Sequence, residues 1–97
     1  MAIFINLVNL TEQGIKTVKD TTKRAEAFRQ MAAKAGVKVK DIYWTIGAYD
    51  VITVLEAPDA ETVLALLFSI GAQGNIRTHT MRAFSAEEMN KVLGKMA

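Results

Sequence analysis

His79 and the run Gly47-Ala48-Tyr49-Asp50 carry most of the chemistry that this chain of 97 residues offers. His79, set between Thr78 and Thr80, is the only histidine, and imidazole is the side chain whose ordinary pKa suits proton transfer near neutrality. Either His79 or Asp50 could serve as a general base, with the Tyr49 phenol donating to a developing oxyanion. Tyr49 and Asp50 could equally sit at a pocket mouth, one orienting a ligand and the other binding an amine. A second reading of the same residues is turn chemistry, in which Asp50 accepts from nearby amides and Gly47 takes a positive φ. His79 likewise reads either as a ligand contact or as a surface or interface histidine. Tyr43 and Thr45 alternate onto one face of a strand and form a polar ligand site with Asn6 if the strand register brings them together.

Other chemistries lack their residues. There is no cysteine, hence no thiolate nucleophile, no disulfide and no Cys-ligated zinc, and one histidine without a His-x-His or Glu-x-x-His partner is a poor metal site. No metal and no cofactor are expected. Gly71-Ala72-Gln73-Gly74 lacks the lysine of a phosphate-binding loop, and no nucleophile elbow or paired-carboxylate signature occurs. The net charge of +2 and the pI of about 9.0 come from basic residues interleaved with acidic ones, which does not point to nucleic acid. Lys16, Lys19, Lys23 and Arg24 cluster, but Asp20 and Glu26 lie among them, as on a solvated helix face. No apolar run is long enough to span a membrane, and Met1 to Asn6 has no basic leader, so a cytoplasmic protein is expected. With 51% hydrophobic and 23% charged residues, one folded domain over residues 1–97 is expected, with a core small enough for oligomerisation to matter.

These residues need elements to position them. Ile3 to Leu10 reads as a first strand buried on both sides; Thr11 and then Asp20, Thr21 or Thr22 are helix caps, predicting a short helical turn before a main helix. Gly14 weakens the first of these. In the main helix Ala25, Phe28, Met31, Ala32 and Ala35 form one apolar stripe, ended by Gly36. Strand two, Ile42 to Ile46, puts Ile42, Trp44 and Ile46 on one face, and strand three, Asp50 to Glu56, sets Val51, Thr53 and Leu55 against Ile52 and Val54. Pro58 and Asp59 close that strand and open a helix from Ala60 to Ile70. Strand four runs from Ile76 to Phe84. Ser85 and Glu88 make a capping box for a terminal helix striped with Met89, Val92, Leu93 and Met96.

The order βαββαβ followed by an extra helix predicts a ferredoxin-like α+β fold, with both main helices on one face of an antiparallel sheet. The opposite face stays bare, yet strands one and three are apolar on both parities. Self-association through that face, as a homodimer of the dimeric α/β-barrel type or a higher ring, is the economical expectation.

Leu10-Thr11-Glu12-Gln13-Gly14-Ile15-Lys16, Tyr43 to Asp50, Glu56-Ala57-Pro58-Asp59 and Gly74-Asn75-Ile76-Arg77-Thr78 together resemble the GYD-domain family, small bacterial proteins of largely uncharacterised function. On that resemblance Gly47, Tyr49 and Asp50 carry the motif. It also singles out Arg24, before Ala25-Glu26-Ala27, as an arginine that could pair with Asp50. More distantly, Gly47 to Asp50, Glu56 to Asp59 and Ile76 to Thr80 resemble the effector-binding domain of leucine-responsive (feast/famine) regulators. That implies a dimer with a ligand site between subunits, here without the DNA-binding helix-turn-helix, since strand one begins at the N-terminus. The expectation is a small-molecule-binding or scaffold oligomer with a pocket at the subunit interface, contacted by Asn6, Arg24, Tyr43, Thr45, Tyr49 and Asp50. The rival is a cofactor-free enzyme using His79 or Asp50 as base.

Overall fold

The computed structural model describes residues 1–97. Its elements are β1 (Ala2–Leu10), α1 (Glu12–Lys16), a 3-10 turn (Val18–Asp20), α2 (Thr21–Lys34), β2 (Lys38–Trp44), β3 (Val51–Ala57), α3 (Ala60–Gly71), β4 (Ile76–Ala83) and α4 (Ala86–Gly94). All strand pairs are antiparallel and the order is β2-β3-β1-β4. This is the ferredoxin-like α+β arrangement followed by a terminal helix.

Local chemistry fixes the helix starts. The Thr11 hydroxyl accepts from the Gly14 amide at 3.0 Å and Asp59 accepts from the Thr62 amide at 2.8 Å, each relieving an amide the helix leaves free. Ser85 and Glu88 exchange both bonds of a capping box. Gly14 is a requirement rather than a weakness, because a Cβ there would collide with the Asn75 backbone carbonyl. The same carbonyl accepts from the Thr11 amide at 3.0 Å, so the turn before β4 is held tightly against the end of β1.

Strand two differs from its expected outline. It begins at Lys38 and carries an irregularity between Val39 and Asp41. The extra residue breaks the alternation that would otherwise announce the strand. It ends at Trp44, leaving Thr45 in the connection and Ile46 fully exposed rather than beside Ile42 and Trp44. The link to β3 is residues 45–50, longer than a tight turn at Gly47.

The sheet has two unlike faces. Phe4, Leu55, Ala57, Val63, Leu66, Leu67, Ala32 and Val37 form the core between the sheet and α2 and α3, with Phe28 and Met31 packed against it. On the other face, pairing lines Tyr43, Ile52, Leu7 and His79 in one row across all four strands, with Asp41, Val54, Ile5 and Met81 in the next. Ile5, Leu7, Ile52 and Val54 are half-buried, and Tyr43, His79 and Met81 are exposed. α4 has no buried residue and displays Met89, Val92 and Leu93 to solvent.

Candidate functional site

The connection between β2 and β3 folds back over the end of β1. Gly47 has φ of +122°, a conformation that side chains with a Cβ resist. Beyond it, the Asn9 side-chain amide donates to the Ala48 carbonyl at 2.8 Å, the Thr45 hydroxyl to the Tyr49 carbonyl at 2.5 Å, and the Asp50 amide to the Val8 carbonyl at 2.8 Å. The Asp50 carboxylate accepts from the Leu10 amide at 2.8 Å. It thereby continues the ladder where β3 has run out, satisfying a part-buried strand-end donor across forty residues of sequence.

Asp50 is therefore not paired with Arg24. The Arg24 guanidinium donates instead to the Thr17 carbonyl at 3.1 Å, to the Thr17 hydroxyl and, at the limit of hydrogen bonding, to the Gly14 carbonyl at 3.5 Å. It ties the start of α2 to the α1 turn. Nor do Tyr43 and Asn6 meet: β2 pairs Tyr43 with Ile52, whereas Asn6 pairs with Thr53, so they occupy opposite faces of the sheet. Thr45 lies beyond β2, its hydroxyl spent on the loop.

Two groupings result. On the open face the Tyr49 ring meets His79 edge-on, centroids 5.7 Å apart, at one end of the Tyr43–His79 row. Tyr43 is 60% exposed, and its hydroxyl lies 3.5 Å from the Asp41 carboxylate beside it. On the covered face a cavity of about 140 Å³ opens between α2, α3 and the sheet. Ala25, Phe28 and Met31 of α2, Leu67 and Ile70 of α3, and Val8, Ile42 and Trp44 of the sheet contribute to its mainly apolar wall. Trp44 closes one end by donating to the Thr21 hydroxyl at 2.9 Å.

The sheet side of this cavity is polar in one place. Asn6, 2% exposed, and its cross-strand neighbour Thr53, 4% exposed, are the two buried polar residues. The Asn6 carbonyl oxygen accepts from the Thr80 hydroxyl at 3.0 Å, while the Thr53 hydroxyl has no partner. Sequence reasoning found Asn6 but not Thr53. The available signal was a threonine at a core-facing position between Val51 and Leu55. Arg24 also borders this cavity; Tyr43, Tyr49, Asp50 and His79 do not. No group of three or more His, Cys, Asp or Glu side chains is arranged to hold a metal ion, and no helix is long and apolar enough to cross a membrane.

Comparison with known proteins agrees with this architecture. A curated relative from Thermus thermophilus, named glutamine synthetase and cystathionine beta-lyase binding protein, is 32% identical over 90 residues, covering 92% of this chain and 95% of that protein. Among solved structures, the C-terminal domain of the MgtC protein from Mycobacterium tuberculosis superposes with a TM-score of 0.55, covering 84% of this chain and 86% of that one. At 14% identity that likeness speaks for the fold alone. The GYD domain matches residues 4–93, and the chain belongs to the GYD-domain family.

Proposed function

We propose that this protein is a binding or scaffold module that self-associates through the open face of its sheet and holds other proteins as an oligomer. The observation that carries this reading is the apolar surface of Ile5, Leu7, Ile52, Val54 and Met81, which no helix of the chain covers. A contiguous apolar patch on a small domain marks an interaction surface, because leaving it in water forfeits about 25 cal/mol for each Å². A second copy suits it. A two-fold axis along the strands lays β2 of one copy over β4 of the other, so that Tyr43 meets the partner's His79 and Asp41 lies over the partner's Met81. A ligand at that seam would be held by Tyr43 of one copy and by the partner's Tyr49 and the partner's His79, which meet edge-on. The name of the Thermus relative supports the wider role, with enzymes such as glutamine synthetase or cystathionine beta-lyase as the partner class.

No observation favours the enzyme alternative. Asp50 is occupied by the Leu10 amide, and neither it, Tyr43 nor His79 borders the cavity. The test is light scattering at micromolar concentration, on the native chain and on Val54→Lys. A dimer or larger native species that Val54→Lys converts to a folded monomer is expected; a native monomer overturns the reading.

A further inference from the structure

We infer that the cavity beneath α2 and α3 is a binding site for a small uncharged molecule with one ring, or a branched aliphatic body of that size, bearing a single hydroxyl or carbonyl. This site is separate from the open face and independent of any partner copy.

Size sets the body of the ligand. Apolar protein cavities of about 150 Å³ take up benzene, and drug-sized ligands need about 300 Å³ or more, so about 140 Å³ suits a fragment rather than a nucleotide or cofactor. Phe28, Met31, Leu67 and Ile70 supply the apolar contact.

The polar floor sets the functional group. A buried hydroxyl without a partner is costly, and natural cores nearly always satisfy such groups. Thr53 breaks that rule while lining the one cavity that could supply an acceptor or donor to it. Valine has the same shape and carries no such cost, so packing alone gives no reason for a threonine there. Asn6 stands across the strand pair, and its oxygen is already taken by Thr80, which leaves its amide hydrogens for a carbonyl or hydroxyl oxygen.

Charge sets the limit. The lining contains no carboxylate, and its one cation, Arg24, is committed to Gly14 and Thr17. An anion reaching the Asn6–Thr53 floor would lose its hydration without gaining a counter-charge. The ligand is therefore neutral.

The experiment titrates the full chain with benzyl alcohol, toluene and benzoate, following amide and methyl NMR shifts and the melting temperature. Benzyl alcohol is expected to shift signals of Asn6, Thr53, Phe28 and Leu67, and to bind at least fivefold more tightly than toluene or benzoate. Thr53→Val is expected to raise the melting temperature of the free protein and to erase the preference of benzyl alcohol over toluene. Ala25→Leu, which fills the cavity, is expected to abolish uptake of both. Equal affinity for toluene and benzyl alcohol in the native protein, or shifts confined to the open-face residues Tyr43, Leu7 and His79, would overturn the inference. So would a Thr53→Val protein that is destabilised and still prefers benzyl alcohol, since the hydroxyl would then be structural. None of these outcomes depends on oligomeric state, so this inference and the self-association reading fail separately.

Discussion

Neighbouring residues of β3 live in different worlds. Leu55 points into the core and is fully buried, whereas Val54, one residue earlier, lies on the open face with only in-sheet neighbours around it. Both are branched aliphatics on a central strand, so propensity does not distinguish them. What differs is whether a helix has been laid over the side chain. The covered face does the folding and also holds the unsatisfied Thr53 hydroxyl; the open face is apolar yet idle in the isolated chain. Each face thus carries a feature that packing within the chain does not account for: an uncovered apolar row on one side and an unpartnered hydroxyl on the other.

The largest effect should separate the faces directly. Leu55→Ala should cost about 2–5 kcal/mol by urea unfolding, since it removes buried methyl groups and leaves a void. Val54→Ala should cost less than about 1.5 kcal/mol in dilute protein, where its side chain is only half-buried. If the open face is sealed by a second copy, the Val54→Ala cost should grow with protein concentration while the Leu55→Ala cost does not. Equal costs at every concentration would erase the distinction between the faces.

Next come the changes in the connection between β2 and β3. Asp50→Ala leaves the Leu10 amide without its acceptor, an expected loss of about 1–3 kcal/mol. Gly47→Val forces a β-branched residue to φ of +122°, with strain of about 1–3 kcal/mol and no steric relief needed, since nothing crowds its Cβ. Tyr49→Phe should be nearly neutral, because the ring that meets His79 is retained and the hydroxyl bonds to nothing in the chain. Thermal unfolding of the three variants checks the order. A Tyr49→Phe loss as large as the other two would place its hydroxyl in the fold rather than at a surface.

What was legible in the sequence was short-range. The caps at Thr11, Asp59 and Ser85 depend on residues three positions apart, and the alternation of β3 depends on the strand's own pleat; β1, expected to be buried on both sides, is buried on one face and only half-buried on the other, because no helix covers the second. The caps and the β3 alternation could be read without knowing any partner. The arrangement of Tyr43 and Asn6 could not, because it depends on pairing register, and the irregularity after Val39 shifts the phase of β2 in a stretch where Lys38 and Lys40 already mask the pattern. The roles of Asp50 and Gly14 were hidden for a related reason. Each is defined by a backbone group far away in sequence, the Leu10 amide and the Asn75 carbonyl. The cavity was the least legible feature of all, since it is set by the separation of two helices over a sheet.

The smallest effect concerns α4, which belongs to neither face and shows how lightly an element can be attached. Its first turn is held by Glu88, which accepts from the Ser85 amide and from Arg82, each at 3.1 Å. Arg82 in turn stacks its guanidinium over the Phe84 ring at 4.3 Å. The Ser85 amide first, and the Arg82 guanidinium second, hold the Glu88 carboxyl below its ordinary value of 4.5, outweighing partial desolvation. A carboxylate whose folded pKa is depressed binds fewer protons folded than unfolded, so its contribution is complete above about pH 4.5 and is lost as pH falls through the lower, folded value. Measured against the intrinsic exchange rate at each pH, the protection of amides across Glu87 to Val92 should therefore fall below about pH 4.5 while that of β1 and β3 holds. In Glu88→Gln the side-chain oxygen can still accept from the Ser85 amide, but the charge is gone, so the protection of α4 should be lower at neutral pH and nearly unchanged by acid. Should α4 and the sheet lose protection together, α4 would be coupled to the body more tightly than the Arg82–Glu88 pair implies.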